Sequence, residues 1–524
     1  MSEQPNILFV MADQLRADYL GCYGHGAIQT PHIDALAKRG VIFDRAYVQS
    51  PVCGGSRMCF YTGRYAATHG AHYNNYPLRV DEMTIGDYLR PLGYRVALVG
   101  KTHMRADLET FARLGIDHGS QAGELISQCG FEPFERDDGL HPTQAVDANL
   151  AYNNYLRSCG YNDANPWLDV ANSALGEDGE LLSGWHMRNA AKPARVPEPH
   201  SETAYMTDRA MEFIRTSEKQ PWCLHLSYIK PHWPYMAPDP YHAMYTAADV
   251  QIANRSEAER EDPNPVIAAF MQHEESVNFA REEVRETVIP AYMGLVSQID
   301  HHLGRLMAFL RDQGLADNTI VIVTSDHGDY LGDHWLGEKD LYHEEIVRVP
   351  LIVFDPRAGA ATARGTTVDA LVESIDLLPT MLHWAGGEAP PERLEGCSLH
   401  ALLHTDRPEN WRDAVFSDGC FGLRSARVTL GLAAHEARSY MVRTQRWKYV
   451  RFEKHPPLLF DLENDAHERF DLGRRREYAQ VRQQLDERLF DWLRHRRLRI
   501  TVSDARIEEL TGTAKQRGYF FGVW

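Results

Sequence analysis

This 524-residue sequence lacks three features that are typical of membrane proteins, of secreted proteins and of proteins stabilised by disulfides or structural zinc. No apolar run approaches the roughly twenty residues of a membrane helix, and the first residues, MSEQPNILFVMADQ, contain neither a basic segment nor a small-residue cleavage site. The eight cysteines form no Cys-x-x-Cys pair, which argues against a structural zinc site or a disulfide framework. We therefore expect a cytoplasmic protein in a reducing compartment, without a membrane partner.

Positive charge is also scarce. The sequence has 55 lysines and arginines against 73 aspartates and glutamates, a net charge of −18. Such a protein repels nucleic acids and anionic membrane surfaces through its overall field, so nucleic acid is not an expected partner. An anionic small-molecule substrate would have to be bound in a local pocket of positive charge.

Short apolar runs that alternate with amphipathic segments indicate the fold class. The runs predict buried strands, and their alternation with helices predicts a large, mainly parallel but mixed central sheet flanked by helices, an α/β fold. Residues 1–412 form the predicted catalytic α/β domain, with insertions at about 104–200 and 233–282 that should wall a pocket. Residues 413–524 are expected to form a smaller C-terminal α+β subdomain and a tail.

The segment PVCGGSRMCFYTGR, residues 51–64, is the most informative stretch. Gly54 and Gly55 allow a tight turn, Ser56 is an N-cap candidate for a short helix, and Arg57 could hold an anion near the helix start. A nucleophile at this position, Cys53, would lie in the positive field of the helix dipole. The alternative interpretation is a buried structural cysteine beside a surface arginine.

Polar residues follow four of the predicted strands, at the sheet edge where open α/β folds bind ligands. Two carboxylates, an amide and an imidazole form a mostly hard donor set that suits Ca²⁺, Mg²⁺ or Mn²⁺: Asp13, Gln14, Asp326 and His327. A second set consists of cations and histidines that could grip a tetrahedral oxyanion: Arg57, Lys101, His103, His232 and Lys339. Each residue alone has an ordinary structural explanation, and their shared placement carries the hypothesis.

These motifs together resemble a known family. The sequence contains PNILFVMADQ, PVCGGSR…TGR, GKTH, KPHWPY, SDHGDYLGDH with Lys339, RVPLIV and, near its C-terminal end, FDLENDAHERFDL. In this order they are similar to the type I sulfatases of the alkaline phosphatase superfamily, closest to the branch that holds arylsulfatases, phosphonate monoester hydrolases and choline-sulfatase-like enzymes. The resemblance implies an alkaline-phosphatase-like fold. It is much less specific for the substrate.

The resemblance also implies a mechanism. Cys53 would be oxidised to Cα-formylglycine by a formylglycine-generating enzyme, and the hydrated aldehyde would attack sulfur or phosphorus. One divalent ion, Ca²⁺ or Mn²⁺ rather than Mg²⁺, would be held by Asp13, Gln14, Asp326, His327 and the modified Cys53. By position in the motifs, Arg57 would hold the nucleophile in place, and Lys101 and Lys339 would bind substrate oxygens. His103 would accept or return the proton of the nucleophile, and His232 would protonate the leaving group. Asn74, or else Asn75, would contact the substrate.

Two positions depart from the usual family pattern. Gly55 stands where the modification motif Cys-x-Pro-x-Arg has proline, and Gln14 stands where many sulfatases have a second aspartate. The first bears on recognition by the modifying enzyme, and the second makes the metal site less anionic, as in the phosphonate hydrolase branch. The pair Lys101 and His103, in contrast, is typical of sulfatases and favours a sulfate monoester.

The expected activity is therefore hydrolysis of aryl or small alkyl sulfate monoesters, with promiscuous hydrolysis of phosphonate monoesters and phosphodiesters. The alternatives are a phosphonate monoester hydrolase or phosphodiesterase, a non-catalytic anion-binding relative in which Cys53 stays a thiol, and a cysteine hydrolase, which would leave the metal-type aspartates without a role. The aromatic tail RGYFFGVW, together with the dimers and tetramers that are common in this branch, further predicts a homodimer or homotetramer.

Overall fold

The computed structural model describes residues 4–143, 146–147, 149–217, 219–405, 407–497 and 501–520. Its largest element is an eight-stranded sheet. In chain order the strands are β1 (Asn6–Asp13), β2 (Val41–Phe43), β3 (Arg95–Gly100), β4 (Glu132–Arg136), β5 (Trp222–Pro231), β6 (Thr319–Ser325), β7 (Leu351–Phe354) and β8 (Thr366–Val368).

The strands lie in the spatial order β8-β2-β7-β6-β1-β5-β3-β4. Neighbours run parallel except at β7, which is antiparallel to both β2 and β6. The prediction of a mainly parallel, mixed sheet is thus confirmed. Strands β1, β5 and β6 are buried along their whole length, which explains why they read as continuous apolar runs.

Two hydrophobic cores cover the two faces of this sheet, and β1 supplies both. Ile7, Phe9 and Met11 belong to one core, whereas Leu8 and Val10 belong to the other, as the two-residue period of a strand requires. The helices of at least eight residues are Pro31–Arg39, Cys53–Thr62, Ala151–Ser158, Glu202–Thr216, Glu282–Asp312, Leu377–Trp384 and Ala479–Arg494. None of the helices in the described ranges has the length and apolar character needed to cross a membrane.

A smaller antiparallel sheet follows near the C-terminal end, as expected. Its strands are Ala414–Cys420, Arg438–Thr444, Trp447–Phe452 and Leu458–Asp461. The Ala479–Arg494 helix packs on it through Leu485 and Leu489. The domain boundary at residues 412–413 stays a prediction. Of the aromatic tail, Tyr519 and Phe520 are exposed, and residues 521–524 lie outside the described residues.

The chain leaves the main sheet after Phe43, and Ala46–Tyr47 pairs instead with Arg348–Val349 and Val372–Glu373. One sequence prediction about local structure was wrong: the region 104–200 is not wholly an insertion, since its strand β4 forms an edge of the main sheet. Its sequence EPFER hid this role, because it has no apolar alternation and contains a proline, which within sheets is confined to edge strands.

Candidate active site

The candidate site lies where four neighbouring strands of the main sheet end. Strands β6, β1, β5 and β3 are adjacent and parallel, so their carboxyl ends meet at one edge. They deliver the predicted residues Asp13, Lys101, His103, His232, Asp326 and His327. Gln14 follows β1 directly, and its backbone N–H donates to Asp326 Oδ1 at 3.0 Å.

The Cys53–Thr62 helix brings the candidate nucleophile to this edge. The helix begins at Cys53, with Val52 as its N-cap, so the predictions that Ser56 caps it and that Cys53 precedes it were wrong. Ser56 lies inside the first turn, where its Oγ donates to the backbone oxygen of Asp326 at 2.6 Å. This bond ties the helix to the end of β6, and every residue of the helix is buried.

Different neighbours leave little room for a side chain at the two glycines of the helix. A Cβ on Gly54 would lie 3.0 Å from the Asn74 Cα, and the Gly54 N–H donates to Asn74 Oδ1 at 2.7 Å. A Cβ on Gly55 would lie 2.4 Å from Ser50 Oγ. A proline at position 55 would therefore require the Ser50 side chain to move.

Four buried residues form a group able to hold a metal ion. Ligand atoms of Asp13, Cys53, Asp326 and His327 all lie within 4.8 Å of one another. Cys53 Sγ is 3.0 Å from His327 Nε2, while His327 Nδ1 is 2.8 Å from the Gly328 backbone oxygen, which directs Nε2 toward the group. Two carboxylates beside an imidazole fit a divalent ion of the Ca²⁺, Mn²⁺ or Mg²⁺ type.

Charge complementarity inside this group is strong. Burial alone would lower the pKa of His327, but Asp326 and Cys53 raise it to about 9. Burial alone would raise the pKa of Asp13, but Lys101, His232 and Arg57 hold it well below the usual range of a carboxyl. The site is therefore a buried cluster of opposite charges, in which the carboxylate of Asp13 is ionised.

Arg57 binds both carboxylates from the protein side. Its Nε donates to Asp326 Oδ2 at 2.7 Å, its Nη2 lies 3.4 Å from Asp13 Oδ2, and its Nη1 donates to Ser227 Oγ at 2.7 Å. Lys101 Nζ also contacts Asp13 Oδ2. Arg57 has no exposed surface, so it positions the carboxylates rather than meeting solvent.

Gln14 has an amide that is held at both ends. Its Nε2 donates to Asp329 Oδ2 at 2.5 Å, and its Oε1 accepts from Lys339 Nζ at 3.1 Å. Gln14 also has a φ of 67°, in the left-handed region that non-glycine residues adopt at a cost. Tyr235 donates to the same Asp329 oxygen at 2.7 Å.

Lys339 and His232 lie side by side. Lys339 Nζ is 3.3 Å from His232 Nε2 and 2.8 Å from Glu338 Oε1, and His232 Nδ1 is 2.7 Å from the Trp233 backbone oxygen. Burial and Lys339 hold the pKa of His232 well below its usual range. Its Nδ1 therefore donates to the Trp233 carbonyl, and its Nε2 accepts from Lys339 Nζ.

A backbone hydrogen bond holds His103 in position. Its N–H donates to Asp138 Oδ1 at 2.9 Å, its φ is 57°, and its buried Nδ1 has no hydrogen-bond partner among the described residues. Burial and Lys101 lower the pKa of His103 well below its usual range. A neutral imidazole with an unpartnered buried nitrogen can take up a proton from a bound group.

Sequence reasoning missed several partners that hold the site together: Asp138, Ser227, Tyr235, Asp329 and Glu338. Asp329 and Glu338 were findable, since they adjoin the predicted residues His327 and Lys339. Asp138 was not, because the backbone of His103 reaches it across a loop from β4, which the sequence pattern did not reveal.

A buried group of metal-type ligands at the carboxyl edge of a mixed sheet is the arrangement that the sequence motifs led us to expect of the alkaline phosphatase superfamily. Residues 5–387 match the Sulfatase family, and residues 332–495 match the family described as N-sulphoglucosamine sulphohydrolase, C-terminal. The chain therefore belongs to the Sulfatase family, as the motifs predicted.

Individual relatives are similar over almost the whole chain. The "Multifunctional alkaline phosphatase superfamily protein PehA" of Trinickia caryophylli is 30% identical, with 93% of this chain and 95% of that protein covered. An arylsulfatase of Clostridium perfringens is 26% identical, with 91% and 92% covered. The solved phosphonate monoester hydrolase from Silicibacter pomeroyi is 28% identical, with a TM-score of 0.81 and 94% and 96% covered. That of Agrobacterium radiobacter has a TM-score of 0.80 at 27% identity, with 94% and 95% covered.

Proposed function

We propose that this protein hydrolyses sulfate monoesters, aryl or small alkyl, with a nucleophile derived from Cys53. The observation that carries the proposal is the position of Cys53 in the first turn of a buried helix, with Sγ 3.0 Å from His327 Nε2 and within one cluster with Asp13 and Asp326. A thiol hydrolase would have no use for that pair of carboxylates. Membership of the Sulfatase family and the similarity to an arylsulfatase support the same activity.

Two groups that the family implies fit this site. A divalent ion, Ca²⁺ or Mn²⁺ by the hardness of the donors, would be held by Asp13, Asp326 and His327 with Gln14 alongside, and it would polarise an ester oxygen and make a bound hydroxyl more acidic. Conversion of Cys53 to Cα-formylglycine by a formylglycine-generating enzyme would supply, as the aldehyde hydrate, an oxygen nucleophile and a route to release it.

The other residues take roles that follow from their contacts. Arg57 keeps Asp13 and Asp326 in place, and Lys101 and Lys339 bind the non-bridging oxygens of the substrate as negative charge builds on them. His103 accepts the proton of the nucleophile at its unpartnered ring nitrogen. Asn74, held by the Gly54 N–H, lies beside the first turn of the helix as a substrate contact.

A second candidate, phosphonate monoester hydrolysis, rests on a specific observation. The two solved structures that superpose with TM-scores of 0.81 and 0.80 are both phosphonate monoester hydrolases. A tetrahedral phosphonate presents oxygens to Lys101 and Lys339 as a sulfate does, so one site can serve both. The two candidates differ in the charge and geometry that the transition state presents to these lysines.

The experiment compares p-nitrophenyl sulfate with p-nitrophenyl phenylphosphonate, using protein matured with a formylglycine-generating enzyme and loaded with Ca²⁺ or Mn²⁺. We expect a higher kcat/KM for the sulfate and loss of both activities on treatment with a chelator. A higher kcat/KM for the phosphonate would assign the second function. If protein with a verified aldehyde hydrolyses neither ester, the result would favour a non-catalytic anion-binding protein. Activity that survives treatment with a chelator but is lost on thiol alkylation would indicate a cysteine hydrolase.

His232 is expected to act as the general acid, and its replacement tests this role. We expect His232→Asn to lower kcat/KM about 100-fold or more for an unactivated ester such as phenyl sulfate, because the poor leaving group needs a proton. The effect on p-nitrophenyl sulfate should be small. The measurement is the slope of log kcat/KM against the pKa of the leaving phenol, which should steepen in the variant. His435→Asn at an exposed histidine is the control, and an unchanged slope in His232→Asn would refute the role.

A further inference from the structure

A cavity of about 240 Å³ is lined by Trp233 and Glu338, the chain neighbours of His232 and Lys339, and none of the catalytic roles above uses it. The two predicted insertions meet here, one contributing Trp185 and the other Phe279, and the loop after β5 contributes Trp233. Its walls also include Glu338, which binds the catalytic lysine Lys339. The cavity therefore shares a wall residue with the surroundings of Lys339.

Four of the residues that line this cavity are aromatic. The rings of Trp185 and Trp233 have centroids 5.7 Å apart and are inclined at 60°, and Tyr235 meets Phe279 edge-on at 6.3 Å. Tyr235 and Phe279 are buried, whereas Trp185 is 36% exposed. The buried pair forms a floor, and Trp185 leaves a face open to a ligand. Such a geometry suits a flat, apolar group.

Trp185 is held in place by the same loop that carries His232. It follows the hairpin Ser173–Leu175 and Leu181–Ser183, whose exit residue Gly184 packs so closely that a Cβ would lie 2.4 Å from the Asn172 backbone oxygen. Asn172 Oδ1 in turn accepts from Lys230 Nζ at 2.8 Å. Lys230 also donates to the Pro234 oxygen at 2.8 Å, so hairpin and loop form one unit.

The His232 ring defines which part of a substrate enters this space. Its centroid is 4.6 Å from that of Trp233. An acid at His232 Nε2 must reach the leaving oxygen, so a bulky group on that oxygen comes within reach of the Trp233 ring. The same ring lines the cavity, so it can offer the departing group an apolar surface there.

The charged groups on the cavity wall form ion pairs with one another or with neighbouring residues. Arg424 contacts Glu275, and its Nη1 lies 3.7 Å from Glu338 Oε2. Glu338 also accepts from Trp233 Nε1 at 3.0 Å and from Lys339. A cationic ligand, such as a quaternary ammonium, would therefore meet the guanidinium of Arg424 and find no unpaired carboxylate. An uncharged ring meets no such conflict.

We propose that this cavity, bounded by Trp185, Trp233, Tyr235 and Phe279, is the subsite for the leaving group and selects esters of phenols and larger aromatic alcohols. The inference rests on the proposed function and narrows its substrate class to aryl esters. In the step concerned, an oxygen of the nucleophile derived from Cys53 forms a bond to sulfur as the bond between sulfur and the phenolic oxygen breaks, and the electron pair of the broken bond stays on the phenolic oxygen. His232, neutral in the free protein, takes up a proton from solvent at Nε2 when the anionic ester binds and gives it to the departing phenol.

The test replaces Trp185 and compares two leaving groups of equal acidity. The substrates are a phenyl sulfate and the sulfate of a fluorinated alkyl alcohol whose pKa matches that of the phenol. We expect Trp185→Ala to lower kcat/KM about tenfold for the aryl ester, mainly through KM, and to leave the alkyl ester within about twofold. Trp185→Phe should restore most of the loss. Leu181→Ala, on the same hairpin and 46% exposed, should change neither.

A second readout does not depend on turnover. Titration with 2-naphthol should quench tryptophan fluorescence in the wild-type protein and in Cys53→Ala, and Trp185→Ala should weaken that binding several-fold. Equal loss for the aryl and alkyl esters, or unchanged naphthol binding in Trp185→Ala, would overturn the subsite while leaving the sulfatase function standing. Preference for choline sulfate over every aryl sulfate would also overturn it. Failure of the proposed function would appear separately, as naphthol binding without turnover of any ester.

Discussion

Replacement of Cys53 by alanine is expected to lower kcat/KM for p-nitrophenyl sulfate about 10⁴-fold or more, because it removes the nucleophile of the proposed reaction. The folded structure should survive, since the side chain of Cys53 is small and its hydrogen-bond contacts with the described residues are those of Sγ with His327 and Asp13. Steady-state kinetics give the activity, and the urea midpoint checks that the variant still folds.

The control for Cys53→Ala is Cys397→Ala, which changes an exposed cysteine and should keep full activity. A peptide mass spectrum provides the matched chemical evidence. The tryptic peptide that carries Cys53 should be lighter than the thiol peptide and react with a hydrazide when the protein is made with a formylglycine-generating enzyme. A fully alkylatable thiol under both conditions would show that Gly55 prevents maturation, and full activity of Cys53→Ala would end the proposal.

The second large effect is expected on stability. Arg57→Ala should lower the free energy of unfolding by about 3–5 kcal/mol, because it leaves Asp13 and Asp326 as neighbouring buried carboxylates without their common partner. Urea unfolding measures this loss. A divalent ion should recover part of it, since an ion that binds only the folded protein and neutralises the same carboxylates stabilises it by mass action.

Arg79→Ala is the matched control for Arg57→Ala. Arg79 pairs with Asp81 at 2.6 Å, but both side chains are 57% exposed, so the loss should stay below about 1 kcal/mol. Rescue of Arg57→Ala by Ca²⁺ or Mn²⁺, with no effect of the ion on Arg79→Ala, would tie the effect to the candidate metal group. A loss in Arg57→Ala no larger than in the control would contradict the assignment of Arg57 as the residue that holds the carboxylates.

Much of the fold could be predicted because its central strands have no solvent-facing side. Asn6–Asp13 and Thr319–Ser325 are buried on both faces, so their sequences are unbroken apolar runs that a reader can recognise without a template. The polar residues that follow them then had to share one sheet edge. The structure brings Asp13, Asp326 and His327 together, as their placement after the strands predicted, and adds Cys53, which only the family resemblance had assigned to this group.

Other features depend on contacts that no local pattern encodes. Ser56 looks like an N-cap, but its hydroxyl binds the end of β6, and the helix begins three residues earlier. The edge strand Glu132–Arg136 has no apolar alternation to reveal it. The cavity lined by Trp233 joins Trp185 to Phe279 across almost a hundred positions of sequence, and only the folded chain brings them together.

The complete burial of Cys53 has a consequence for how active protein is made. In the folded chain Cys53 has no exposed surface and every residue of its helix is buried, so the modifying enzyme of the proposed function would have to reach this cysteine on the nascent or unfolded polypeptide. Maturation and folding are then competing rates, and a chain that folds first is a stable but inert product. The specific activity of a preparation would be fixed at synthesis, and slower translation or a lower growth temperature would raise it without any change in sequence.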